Sequence, residues 1–136
     1  MKCMLNSVKS ILVLALTVGL VGCGGTAVKP GSASDRQEAV AKRAQSRWDA
    51  LIKGDLDAAY EYLSPGIRST VPLNIYKNKI RPGLWKKASV ESVSCEADRC
   101  EVMMLVELSY RNVKATQSHM KELWLLDVGS WWYAPN

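Results

Sequence analysis

The sequence predicts a single α+β domain in which three N-terminal helices pack on a four-stranded antiparallel sheet. Apolar residues recur at helical spacing, about every 3.6 residues, through the first half of the domain. From Trp85 onward, apolar and polar residues alternate, which is typical of half-buried strands. Helices followed by strands favour α+β architecture, and 136 residues are enough for one domain.

Capping and helix-breaking residues delimit the three helices. In the first helix, Gln37 follows Ser34 by three residues, which is the spacing of a capping box. Val40, Ala44, Trp48 and Leu51 form its apolar stripe. The helices are predicted to begin at Ser34, Asp55 and Pro72 and to end at Gly54, Ser64-Pro65-Gly66 and Pro82-Gly83.

Alternation predicts four strands, over residues 86–95, 100–110, 119–128 and 131–133. The second strand has the clearest pattern, with Val102, Met104, Val106, Leu108 and Tyr110 on one face. In the third strand the corresponding face carries Met120, Trp124, Leu126 and Val128. Consecutive strands joined by short polar connections predict a meander.

The first 22 residues are predicted to be a cleaved lipoprotein signal peptide. Two lysines precede an uncharged run over residues 11–21, which is shorter than the ~20 residues of a membrane span. The run ends in Leu20-Val21-Gly22-Cys23, which resembles the lipobox of bacterial lipoproteins. The resemblance implies cleavage before Cys23 and attachment of diacylglycerol to its thiol, usually with N-acylation. The alternative is an ordinary signal peptide with an incidental cysteine.

The lipobox resemblance also implies where the protein resides. Residues 23–34 are predicted to be the lipidated cysteine and a flexible Gly/Ser/Ala-rich tether, and residues 35–136 the folded domain. The membrane is thus an expected partner through the lipid anchor, in a bacterial cell envelope. Gly24, rather than Asp, after the cysteine implies the outer membrane facing the periplasm in a Gram-negative host. After residue 22 the net charge is only +3, which argues against a nucleic-acid partner.

Cys95 and Cys100 are predicted to form a disulfide bond. Export favours disulfides, and a four-residue hairpin loop would place the two cysteines opposite each other on antiparallel strands. A redox or metal pair is the alternative. It is less favoured because four residues separate the cysteines rather than two, and His119 is the single histidine. We expect no metal and no cofactor.

Four segments resemble the nuclear-transport-factor-2-like superfamily, in particular its small exported bacterial members. They are residues 47–51 (RWDAL), 54–56 (GDL), 59–65 (AYEYLSP) and 129–132 (GSWW). The resemblance covers about residues 36–134 and implies a curved sheet wrapped around the helices to form an open cone. Members of this superfamily include isomerases and dehydratases as well as non-catalytic binding modules.

A candidate pocket follows from the aromatic residues and from the implied cone. In a sequence without Phe, the same rings are also needed to fill the core, and that alternative is favoured. The candidate lining residues are Trp48, Tyr60, Tyr76, Trp85, Glu91, Met104, Tyr110 and Trp124.

Glu91 is the candidate base for a catalytic alternative. A regular hairpin register through Cys95 and Cys100 would place Glu91 opposite Met104, on the concave apolar face, where burial raises a carboxyl pKa. It would also place Trp85 opposite Tyr110. The favoured alternative is a β-bulge that turns Glu91 toward water. His119 is expected to be an exposed residue without a catalytic role.

Two surfaces are candidates for contacts. Lys77, Lys79, Arg81, Lys86 and Lys87 form a local basic cluster, which is either a solvated face or a site for anionic headgroups or glycans. The outer sheet face is a candidate dimer or partner surface. It carries Met103, Leu105, Leu123, Leu125 and one of the two tryptophans Trp131 and Trp132.

Together these observations predict a membrane-anchored lipoprotein whose domain binds a small apolar ligand or an envelope protein without catalysis. One alternative is a small isomerase-like or hydro-lyase-like enzyme that uses the cone pocket. Another is an architectural envelope protein, or a homodimer, that associates through the outer sheet face.

Overall fold

The structure of the protein is a computed structural model, which describes residues 31–112 and 114–135. The predicted signal peptide, the lipobox with Cys23, and most of the predicted tether lie outside the described residues. The α+β prediction is confirmed, because helices pack on a four-stranded antiparallel sheet. The elements are α1 Ala33–Lys53, α2 Leu56–Tyr60, α3 Pro65–Thr70, α4 Leu73–Lys79, β1 Trp85–Glu96, β2 Arg99–Leu108, β3 Thr116–Asp127 and β4 Ser130–Ala134.

Helix α1 begins earlier than predicted, at Ala33, with Ser32 as its cap. The predicted box of Ser34 and Gln37 is wrong, because the reciprocal bonds are made by Ser32 and Asp35. The Ser32 hydroxyl accepts from the Asp35 amide at 3.1 Å, and the Asp35 carboxylate accepts from the Ser32 amide at 2.8 Å. The helix ends as predicted at Gly54, which has φ 76°.

The segment after α1 contains one helix more than predicted. Asp55 caps α2 as expected, through a bond from the Ala58 amide to its carboxylate. Ser64-Pro65-Gly66, predicted only to end a helix, also begins α3. The Ser64 hydroxyl accepts from the Ile67 amide, and proline fits the first turn because that turn needs no amide donor there.

The sheet has the predicted meander order β1-β2-β3-β4, with each neighbouring pair antiparallel. The β1–β2 turn is shorter than the predicted four-residue loop, because Glu96 also pairs with Arg99. Two bulges in β1, at Lys86 and at Glu91, shift the regular register. Consequently Trp85 pairs with Leu108 rather than with Tyr110.

The strand boundaries differ from the prediction by one to three residues. Strand β3 begins at Thr116, three residues before the expected start. Strand β2 ends at Leu108, so Tyr110 lies beyond it. Val128, predicted on the inner face of β3, lies in the following turn with φ 45° and is 95% exposed.

The core lies between α1 and one face of the sheet. The predicted stripe of α1 is buried and packs against alternate residues of β2. Gln45, at the side of α1, donates to the Ala88 carbonyl at 3.0 Å and accepts from the Val90 amide at 3.2 Å. The Gln45 side chain thereby bonds α1 directly to the backbone of the edge strand β1.

Candidate functional site

An ion pair lies inside the domain, between α1 and β3. The side chain of Arg47 is 6% exposed and that of Glu122 is 4% exposed, and the shortest distance between their charged groups is 2.5 Å. Glu122 shares a face of β3 with Trp124, because side chains two residues apart in a strand point to the same side. Arg47 precedes the buried Trp48 in α1. The tertiary fold therefore joins two charged residues that are 75 positions apart.

Both oxygens of the Glu122 carboxylate are engaged. Oε1 accepts from the indole N–H of Trp48 at 2.8 Å and from Arg47, and Oε2 accepts from the indole N–H of Trp124 at 3.0 Å. Buried carboxylates are tolerated when their charge is paired and their lone pairs are bonded. The geometry meets both conditions.

Two tyrosines complete the surroundings of Arg47. Its guanidinium lies 3.7 Å from the centre of the Tyr133 ring, a cation–π contact. The hydroxyl of Tyr76 is buried and has no hydrogen-bond partner of normal geometry among the described residues. Burial raises the pKa values of Tyr76 and Tyr133 above the ordinary tyrosine value. The positive charge of the nearby Arg47 opposes this increase for both residues. Both phenols are therefore neutral near neutral pH.

The Glu122 carboxylate is buried and its hydrogen-bonding capacity is engaged by neighbouring side chains. A general base needs a lone pair that points at a space where a substrate can bind. The carboxylate of Glu122 is instead enclosed by its three donors. Cavities of about 440 and 280 Å³ are present in the described part of the chain, and neither Arg47 nor Glu122 lines them.

The candidate pocket residues lie in three environments. Trp85 is half-buried at the edge of the core, with its ring 5.4 Å from that of Trp48 in an edge-to-face contact. Glu91 and Tyr110 are exposed, and Tyr110 lines the 440 Å³ cavity. The remaining five are buried core residues: Trp48, Tyr60, Tyr76, Met104 and Trp124.

Glu91 does not face the core. It is the extra residue of a bulge, so Val90 pairs with Met104 in the place predicted for Glu91 by a regular register. The bulge leaves the Glu91 side chain 46% exposed and 3.2 Å from Nε2 of the exposed His119. The favoured prediction, a bulge that turns Glu91 toward water, is confirmed, and the alternative that placed Glu91 on the concave apolar face is wrong.

Sequence reasoning missed Arg47 and Glu122. Charged residues are mostly exposed, so neither was predicted in the core. The strand alternation nevertheless contained a signal, since Glu122 stands between Met120 and Trp124 on the apolar face. Nothing comparable pointed to Arg47.

Cys95 and Cys100 form the predicted disulfide, which confirms that pairing. Their Cα atoms lie 4.0 Å apart, and the two residues are partners in the β1–β2 register. Within residues 31–112 and 114–135, no three His, Cys, Asp or Glu side chains gather as metal ligands. No helix of these same ranges is long and apolar enough to cross a membrane.

The outer sheet face is apolar at its centre. Met103, Leu105 and Leu123 are partly exposed, and Leu125 is 39% exposed. Of the two adjacent tryptophans, Trp131 is buried and Trp132 is partly exposed. Charged residues surround this surface, including an ion pair of Lys121 with Glu101 at 3.2 Å.

Comparison with known proteins supports the fold alone. No family model and no curated protein matches the chain. The chain is similar to the solution structure of a SEC-C motif containing protein from Rhodopseudomonas palustris. That likeness has a TM-score of 0.54 and 16% sequence identity, and it covers 65% of this chain and 70% of the other.

Proposed function

We propose that this chain is a lipid-anchored protein of a bacterial cell envelope whose domain binds a partner without catalysing a reaction. In this proposal residues 1–22 are removed, Cys23 carries the lipid, and the residues before Ser32 form the tether. The outer membrane, on its periplasmic side, is the favoured location in a Gram-negative host. The domain is assigned to the nuclear-transport-factor-2-like superfamily on its sequence motifs, with helices on one sheet face as that assignment requires.

One observation carries the non-catalytic part of the proposal. The Glu122 carboxylate, buried between α1 and β3, has both oxygens bonded to Arg47, Trp48 and Trp124. Aromatic side chains fill the space around it. An enzyme of the isomerase or hydro-lyase type would instead need a free carboxylate that lines an open cavity.

The surface available to a partner is the outer sheet face. Side chains alternate along β2 and β3, so the residues between the buried ones point away from the helices. Leu125 and its apolar neighbours on this face are rimmed by charged side chains, which is the composition of a protein-binding surface. We assign this face to an envelope protein partner.

The anchor is tested by mass spectrometry of the mature protein after metabolic labelling with a fatty acid. Wild type is expected to begin at Cys23 and to carry acyl chains, whereas the Cys23→Ala variant should carry none. An unlabelled mature wild-type protein would contradict the anchor and the location that depends on it.

The docking face is tested by site-specific photocrosslinking in living cells. A crosslinker at Leu125 should give one discrete adduct, whereas a crosslinker at the exposed Lys53 on α1 should give none. Loss of the Leu125 adduct in a Leu105→Glu background would tie it to the same surface. Equal adducts at both positions, or none at Leu125, would contradict the assignment, and an adduct of twice the chain mass would identify a second copy as the partner.

A further inference from the structure

A second feature of the domain is a basic cavity at the end of the sheet where β1 begins and β2 ends. It has a volume of about 440 Å³. It is formed by residues 81–84 of the α4–β1 connection together with Lys86 of β1, and by residues 109–111 after β2. The Ser109 amide donates to the Leu84 carbonyl at 3.0 Å and holds these stretches together.

Three cationic side chains line this cavity: Arg81, Lys86 and Arg111. No acidic residue is among its lining residues, and none of the three cations forms an ion pair within residues 31–112 and 114–135. Like charges held close together repel one another, and the repulsion is relieved when an anion binds between them. The cavity therefore favours a negatively charged ligand.

Backbone geometry brings the cations to the cavity. The first bulge of β1 inserts Lys86 as an extra residue, so Lys86 and Lys87 are both exposed instead of alternating between the sheet faces. Arg111 has φ 52°, a conformation uncommon for a side-chain-bearing residue. Its guanidinium lies 5.1 Å from the centre of the Tyr110 ring. Stacking of this kind orients an arginine while its N–H groups stay available.

We infer that this cavity binds a phosphate group, either as inorganic phosphate or as the phosphate ester of a phospholipid headgroup. Arginine matches phosphate oxygens through paired N–H donors, and two residues with hydroxyl groups, Ser109 and Tyr110, also line the cavity. A volume of about 440 Å³ exceeds that of a phosphate ion and leaves room for a substituent. The inference does not depend on lipidation at Cys23.

The test uses the full chain with Cys23→Ala, so that no acyl anchor contributes to binding. Inorganic phosphate is titrated while the backbone amide signals of Gly83 and Ser109 are followed by NMR. In parallel, the protein is sedimented with vesicles of phosphatidylglycerol and phosphatidylcholine, and with vesicles of phosphatidylcholine alone. Sodium chloride at equal ionic strength controls for screening, which weakens any exposed electrostatic contact.

The decisive comparison is between two double variants that remove the same charge. Arg81→Gln with Arg111→Gln alters the cavity, whereas Lys42→Gln with Lys53→Gln removes two exposed cations from α1. Loss of two charge-assisted contacts should weaken phosphate binding by about tenfold or more, while the α1 variant should bind like the parent. Because both cavity arginines are exposed, the variant should fold, and Lys86→Gln provides a milder second variant.

The two sources of phosphate give different results. Binding of inorganic phosphate that displaces the protein from phosphatidylglycerol vesicles supports a headgroup site. Binding of inorganic phosphate without vesicle binding supports a site for a soluble phosphate compound. The inference is overturned if no phosphate-dependent signal changes occur, or if both double variants lose binding equally. Neither result bears on the Cys23 anchor, which the labelling experiment tests separately.

Discussion

Arg47 and Glu122 form an ion pair inside the domain, with both side chains almost completely shielded from water. The pair links the first helix to the third strand, and the indoles of Trp48 and Trp124 complete the bonding of the carboxylate. Removal of either partner would leave a buried charge uncompensated. The two charges meet only when α1 lies in one position on the sheet, so we regard the role of the ion pair as fixing that position.

Glu122→Gln should therefore be strongly destabilising. The substitution keeps the shape of the side chain but leaves the Arg47 charge buried and unpaired, with an expected loss of about 3–5 kcal/mol in the free energy of unfolding. Urea denaturation followed by tryptophan fluorescence measures the change. Glu91→Gln, on the exposed side of the same sheet, is the matched control and should change stability by less than about 1 kcal/mol.

A double variant separates charge pairing from packing. Arg47→Met with Glu122→Leu removes both charges and should lose less stability than Glu122→Gln alone, since apolar replacement of a whole buried pair is often tolerated. If the double variant is the less stable of the two, the interpretation of the pair as a mutually compensated unit is incorrect.

Two neighbouring tyrosines should respond differently to loss of their hydroxyls. The rings of Tyr60 and Tyr76 lie 5.3 Å apart, but the Tyr60 hydroxyl donates to the carbonyls of Arg68 and Val71 whereas that of Tyr76 lacks a bonded partner among the described residues. Tyr60→Phe should cost about 1 kcal/mol. Tyr76→Phe should leave the unfolding free energy unchanged or raise it, because burial of an unbonded hydroxyl is unfavourable. Equal losses in the two variants would contradict this difference.

The disulfide should stabilise the domain modestly. In the chain-entropy model a bridge across so short a loop contributes about 2 kcal/mol. Cys95→Ala with Cys100→Ala is expected to lower the unfolding free energy by about this amount while the sheet is retained, as measured by denaturation and circular dichroism. Thiol labelling of the untreated protein supplies the control, since two reactive cysteines before reduction would show that the bond is absent.

The N-terminal cap of α1 makes a pH-dependent contribution. Hydrogen bonds from Ser32 hold the pKa of Asp35 below the ordinary value of 3.8, with the larger effect from its side chain and the smaller from its backbone. Because the pKa of Asp35 is lower in the folded state, its ionised form stabilises the fold at pH values above the ordinary pKa. This contribution is lost as the pH falls through the lowered pKa of the folded state. Ser32→Ala should return the Asp35 pKa toward the ordinary value in an NMR titration.

Ser34→Ala is the matched control for the cap. It removes the hydroxyl of the alternative capping residue and should leave the Asp35 titration unchanged. A shift of the Asp35 pKa in this variant, with none in Ser32→Ala, would show that Ser34, the cap predicted from the sequence, is the capping residue.

Local patterns were sufficient for most of the fold. The apolar stripe of α1 and the alternation in β2 each depend on residues close in sequence, and these elements form where the patterns predicted them. The glycine at position 54 ends α1 for a local reason, its left-handed backbone. The choice between Ser32 and Ser34 as the cap was open to error, because two serines stand two residues apart and each has a polar residue three positions later.

The register of β1 was predicted only in part. The bulge at Glu91 was the favoured interpretation and is present, whereas the bulge at Lys86 was not predicted, so the regular register gave Trp85 the wrong partner. The basic cavity also depends on strand pairing. Because β2 pairs with β1, Arg111 comes to line the same cavity as Arg81 and Lys86.

The sequence by itself determined the class of the fold, the order of its strands, and the cysteine pair that closes the first hairpin, since each depends on spacing along the chain. Only the tertiary structure decided that Arg47 meets Glu122 and that Trp85 pairs with Leu108. These outcomes depend on how one element packs against another, and a charged residue near an apolar pattern enters a core only where the fold supplies its partners.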